Sequence, residues 1–185
     1  MPYLCWRFSN LIARYVNKDG VFLSLILVLN LSVLQNVAAA PGDILFEEYF
    51  NNNGDLNADL DRSSGSDVGT STATFDSPSR SAFMRDGPDS LTLKASSAIN
   101  AAVTAASLNV WIRRGADSFS EDPDSGEDLT VEYSNSAGSW FVLETFTGSG
   151  TPGEIFDRSY VLPFAALHGA LRLRFRNASS DNNVD

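Results

Sequence analysis

The stretch Ala170-Leu-Arg-Leu-Arg-Phe-Arg176 constrains this chain more than any other. Its apolar residues recur at every second position, so Leu171, Leu173 and Phe175 share one side and Arg172, Arg174 and Arg176 the other. A period of two is the signature of a half-buried strand and is incompatible with a helix. Leu108, Val110 and Ile112 alternate with Asn109, Trp111 and Arg113 in the same way, as do Leu129, Val131 and Tyr133 with Thr130, Glu132 and Ser134. Shorter strands are expected over 44–50, 81–85, 90–94, 140–146 and 158–162. Turn-forming clusters, among them Asn51 to Gly54, Asp86-Gly-Pro88 and Gly148 to Gly153, punctuate the chain between them. The Ala-rich run 95–106 is the best helical candidate, but its Ser, Thr and Asn content favours loop and strand edge. Short alternating strands without intervening helices imply an all-β fold, an antiparallel sandwich or jelly roll.

The first 40 residues read differently. Arg7, Arg14 and Lys18 precede the apolar run Val21 to Leu34, and the small residues Ala38 to Ala40 follow. A basic start, an apolar middle and a small-residue end describe a secretory signal, with cleavage after Ala39 or Ala40; a retained signal anchor is the alternative. The apolar run falls short of the ~20 residues that a spanning helix needs. The chain is therefore expected to comprise a signal peptide over 1–40 and one β-sandwich domain over 41–185, secreted or displayed at the cell surface.

Charge narrows the partners. The 185 residues carry 13 Lys and Arg against 23 Asp and Glu, a net charge of −10. Three of those bases and one acid fall within Met1 to Ala40, so the remainder stands at 10 against 22, a net −12. That balance argues against nucleic-acid binding, which needs a basic face. The single Cys, Cys5, excludes a disulfide framework, and the single His, His168, leaves little for metal or proton-relay chemistry.

Candidate sites are few. The loop from Asp117 to Asp128 contains Asp117, Glu121, Asp122, Asp124, Glu127 and Asp128, hard oxygen donors of the kind Ca²⁺ takes; the plainer reading is a solvated acidic loop. Asp55 to Asp61 starts like an EF-hand loop but has Leu60 where Gly is needed and Ser66 where Glu is needed. Asp128 and Glu132 share a strand side but stand about 13 Å apart at the strand rise, too far for paired-carboxylate hydrolysis. His168 has no nucleophile elbow to serve. The Arg172, Arg174 and Arg176 stripe suits cross-strand ion pairing or, less simply, an anionic ligand. Trp111 and Trp140 suit core packing or stacking on sugar rings. Asn177-Ala-Ser179 is a glycosylation sequon, meaningful only in a eukaryotic secretory pathway. No catalytic or cofactor-binding residue is nominated, no metal ligand is assigned, and Ca²⁺ is the ion considered.

Several fragments, taken in order, resemble a known family. Trp111-Ile-Arg-Arg-Gly115, Gly126-Glu-Asp-Leu-Thr-Val-Glu-Tyr-Ser134, Trp140, Leu162-Pro-Phe-Ala165 and Leu171-Arg-Leu-Arg-Phe175, with Ser77 to Ser81 upstream, resemble the jelly-roll domain near the start of MSHA-type pilus biogenesis protein Q. The pattern is also similar to reelin-type subrepeats and, more loosely, to MAM and concanavalin-like sandwiches. The resemblance implies a secreted, non-catalytic module of a bacterial pilus-associated or adhesin-like surface protein that contacts protein or glycan. The alternative is a concanavalin-like glycan-active enzyme domain. Members of the resembled family carry a Trp where this chain has Asp59-Leu-Asp61. They also continue into a Tyr-Trp-containing closing strand after the point where this chain reaches Asp185. By that comparison the closing strand is missing here, and Leu171, Leu173 and Phe175 are expected close to where it would pair or pack.

Overall fold

The computed structural model describes residues 43–48, 50, 53–63, 68–73, 80–84, 88–97, 99, 104–116 and 123–177. The chain divides into two units, Met1–Gln35 and Asn36–Asp185, and every described residue belongs to the second. The expected signal segment therefore lies outside the described residues. Among these, no helix is long and apolar enough to cross a membrane.

The fold is all-β with antiparallel pairing throughout. Among the described residues, nine strands follow one short helix: α1 (Asn53–Asp59), β1 (Leu60–Arg62), β2 (Val68–Ser71), β3 (Ser81–Met84), β4 (Ser90–Leu93), β5 (Ser107–Arg113), β6 (Leu129–Ser134), β7 (Trp140–Phe146), β8 (Ile155–Val161) and β9 (Leu173–Asn177). Five of them form a sheet in the order β1-β4-β9-β6-β7, while β2 pairs with β3 and β5 with β8 as two-stranded ribbons.

Register and side-chain alternation give the five-stranded sheet two unlike faces. On one, Leu60 lies opposite Leu93, Leu91 opposite Phe175, Phe175 opposite Val131 and Leu173 opposite Tyr133. Both ribbons cover this apolar face. Val68 of β2 joins Leu56, Leu60, Leu91 and Leu93 in one core cluster, with Ala82 and Met84 of β3 against it. Leu108 of β5 packs on a second cluster of Tyr133, Leu162, Ala166, Leu171 and Leu173. Leu56, Val68, Leu93 and Val131 are fully buried, each contributing about 1.5–3 kcal/mol from transfer out of water. The opposite face is polar, and among the described residues neither ribbon nor core cluster lies on it.

A bulge shapes β7. Val131 pairs with Glu144 but Glu132 pairs with Val142, so Leu143 is the extra residue. Two adjacent side chains of a bulged strand can then point the same way. Leu143 packs on the second core cluster, and Glu144 meets β8 across the same apolar side.

The strands predicted over 81–85, 90–94, 108–113, 129–134, 140–146 and 158–162 are present with small shifts of boundary. Three features differ. The described residues of 44–50 form no strand; Phe46 and Phe50 instead pack on the first core cluster, and Phe50 adopts a φ of 52°. A helix lies at Asn53–Asp59, and the described residues of the Ala-rich run show a 3-10 turn over Ala95–Ser97 and a bridge from Ile99 to Leu171. The third concerns the expected place of a closing strand. β9 is hydrogen-bonded to β4 on one edge and β6 on the other, so no further strand can pair with it. Leu171 and Leu173 are buried with Tyr133, Leu162 and Ala166 in the second core cluster, against which Leu108 packs.

Candidate functional site

The polar face of the five-stranded sheet is the candidate. Its rows follow from register: Asp61, Thr92, Arg174, Glu132 and Val142 cross the sheet from β1 to β7, and Ser90, Arg176, Thr130 and Thr145 cross beside them. At the other end of β9, Arg172 stands beside Ser134, whose Oγ accepts a hydrogen bond from the Arg172 N–H at 3.0 Å, and Ser134 lies opposite Trp140. The arginine stripe seen in the sequence thus runs down the middle of the face.

Glu132 is its anchor. Its carboxylate is ion-paired to the Arg174 guanidinium, and its other oxygen lies 3.8 Å from Arg176. With only 4% of Glu132 exposed, that pairing offsets the desolvation of a charge in the sheet centre. The Arg174 guanidinium also lies 4.4 Å from the Trp140 ring centroid, and that of Arg172 lies 5.8 Å away while donating to the Leu93 carbonyl at 2.6 Å. Two cations against one indole hold both groups in fixed positions. Arg176 differs: its side chain is 46% exposed and, among the described residues, its guanidinium makes no hydrogen bond.

The other sequence candidates are dispersed. His168 Nδ1 accepts from the Ala170 N–H at 3.2 Å, so its proton sits on Nε2, which donates to the Ser134 carbonyl at 2.9 Å. Both nitrogens are spent on tying the turn after Phe164–Ala166 to the end of β6. Asp55 to Asp61 runs through α1 into β1, a path no cation loop follows. In the acidic loop, Glu127 is buried and the Asp128 carboxylate accepts from the Gly148 N–H at 3.0 Å; Asp117, Glu121 and Asp122 lie outside the described residues. Among the described residues no three His, Cys, Asp or Glu side chains converge as a metal centre requires. Trp111 stands opposite Asp157 in the β5–β8 ribbon, away from Trp140. Asn177 closes β9, its N–H donating to the Asp89 carbonyl at 2.9 Å.

Two polar clusters have no counterpart in the sequence reading. Arg114, 8% exposed, bonds Glu154 at 2.7 Å and the carbonyls of Thr147 and Thr151 at 2.8 and 3.2 Å, with its guanidinium 5.4 Å from the Phe156 ring. The loop 147–154 is thereby wrapped around one cation, and a Cβ at Gly150 would collide with that guanidinium. The second cluster joins ribbon to sheet. Arg158 bonds both oxygens of Glu144 at 3.2 Å, its guanidinium lying 5.6 and 5.1 Å from the Phe146 and Phe156 rings, and the Tyr160 hydroxyl donates to Glu144 at 2.7 Å. Burial, then the hydrogen bond and charge of Glu144, push the Tyr160 phenol well above its ordinary value, with Arg158 opposing. The one signal for this cluster was Glu144 itself, a charge in an otherwise apolar strand.

Compared with models of known protein families and with curated proteins, the chain finds no match. Fold and site therefore define the class alone: an all-β domain with one sheet face buried and the other a polar surface of fixed arginines. The Glu132 carboxylate on that face is engaged by the guanidinium groups of Arg174 and Arg176.

Proposed function

We propose that the chain is an exported, non-catalytic β-sandwich module of a bacterial pilus-associated or adhesin-like surface protein, and that it contacts glycan or protein through the polar face of its five-stranded sheet. The observation that carries the reading is the preorganisation of that face: Arg172 and Arg174 are held by Trp140, the Leu93 carbonyl and Glu132. Side chains already fixed lose less entropy on binding, which is what a recognition surface requires. The basic, apolar and small-residue succession over 1–40 supports export, and the ordered resemblance to the pilus protein Q jelly roll supports the surface role. Fold by itself does not give function, so the adhesive role stands on this face and on the resemblance. The test is display of the chain on beads against whole bacterial and host cells and a glycan array. Retention on cells or sugars is expected, reduced when Trp140→Ala releases the two arginines. Beads that hold nothing would leave only a spacer role.

A further inference from the structure

We infer that the arginine strip on β9 is a binding site for an oligosaccharide bearing carboxylate groups, an inference that rests on the adhesive reading and names its ligand class. Arg174 and Arg176 pair with Glu132, Arg172 lies beside them, and the other carboxylate of that row, Asp61, stands two strands away on β1, in a chain whose net charge is −10. Positive charge is thus gathered where the rest of the molecule is acidic, and on a scale of about 8 Å at physiological salt the local charge governs what docks. The planar guanidinium group pairs with carboxylates through two parallel hydrogen bonds. Arg176 is the group placed to do so: 46% exposed, 3.8 Å from Glu132, and without a hydrogen bond among the described residues.

Arg172 and Arg176 are four residues apart on one strand side, about 13 Å at the strand rise. That length suits a run of several sugars rather than one. The strip is flanked by the small polar residues Ser90 and Thr92 of β4 and Thr130 of β6, and bounded at one end by Trp140. An acidic peptide is the rival occupant. Extended peptides dock on sheet edges, where main-chain groups are open for pairing. This strip lies on the central strand, whose backbone is shared between β4 and β6. Recognition here must come from side chains alone, which favours a ligand whose own polar groups are hydroxyls and carboxylates.

The test titrates the purified chain with oligogalacturonate, a neutral malto-oligosaccharide of equal length and oligoglutamate, following tryptophan fluorescence and calorimetry. Oligogalacturonate should bind at least about tenfold more tightly than either of the others. Arg176→Gln should weaken it by about tenfold, as expected for a lost charge-assisted bond, with thermal unfolding unchanged. Asp157→Asn, on the ribbon, should bind as the parent does. Equal affinity for the neutral sugar, tighter binding of oligoglutamate, or full binding by Arg176→Gln would each overturn the inference. If no sugar binds yet cell adhesion persists and is indifferent to Arg176→Gln, the saccharide assignment falls and the adhesive reading stands. Loss of both removes the adhesive reading itself.

Discussion

Tyr160 shows how one side chain can link two layers. Its hydroxyl donates to Glu144 at 2.7 Å, so ionising it would place two negative charges side by side in a partly desolvated junction. A phenol whose folded pKa is raised favours the fold in its protonated form. That contribution is fully present below about pH 10, the unfolded value, and is lost as pH climbs toward the folded one. Thermal melts between pH 9 and 12 should therefore show stability falling through the upper part of that range, and Tyr160→Phe should flatten the fall while costing about 1–2 kcal/mol at neutral pH. A parent melting curve indifferent to alkali would contradict the geometry. Arg114 has a similar weight for the loop beside it. Lys at this position can reach Glu154 or one carbonyl but not the fork of three, so Arg114→Lys should lose about 2–3 kcal/mol in a denaturant titration, much of it from the stranded carbonyls of Thr147 and Thr151. A loss within error would mean that water replaces the guanidinium in the loop.

Elements were legible in proportion to how strictly their residues alternate. β5 and β6 each carry three apolar positions at a spacing of two, β9 continues the alternation begun at Leu171, β7 shows Trp140 and Val142 before its bulge, and all four were found. Helix α1 was hidden because Asn53, Gly54, Asp55 and Asn57 are turn-formers by propensity. What holds it is tertiary: Leu56 sits in the core with Leu60 one turn on, and the Lys94 ammonium donates to the Asn57 and Ala58 carbonyls at its C-terminal end. Its one clue was the four-residue spacing of those leucines. β1 and β2 are too short to show a period at all. β6 is a subtler case, read as half-buried but buried along both sides from Thr130 to Ser134. Alternation reports what a strand needs, not that long arginines from β9 will fold over its polar side. The polar face was legible as a stripe of arginines, whereas its anchor Glu132 needed the register of β6 against β9. The Arg114 loop was invisible, since nothing in the local sequence marks which arginine will be enclosed. Its glycines can be tested directly: Gly150→Ala should destabilise by about 1–3 kcal/mol through collision with Arg114, and pairing it with Arg114→Ala should cost less than the two losses added. Additive losses would show that the loop and the guanidinium do not touch.

On the scale of the whole molecule, the sheet order β1-β4-β9-β6-β7 makes the last described strand the one that joins two halves, β1 with β4 and β6 with β7. A chain ended at Arg172 keeps eight of the nine described strands yet has no sheet to hold them together, and it should unfold without cooperativity or fail to fold at all. Circular dichroism melts of that truncation beside the parent would decide; a sharp transition in the short form would mean that β4 and β6 can pair without β9. The same arrangement has a consequence in time. A ribosome releases β4 and β6 well before the strand that unites them, so the apolar face stays unassembled until about the last residues described have emerged. A chain built in that order remains threadable until β9 has emerged, and a translocation pore that admits only extended polypeptide would until then find it unfolded.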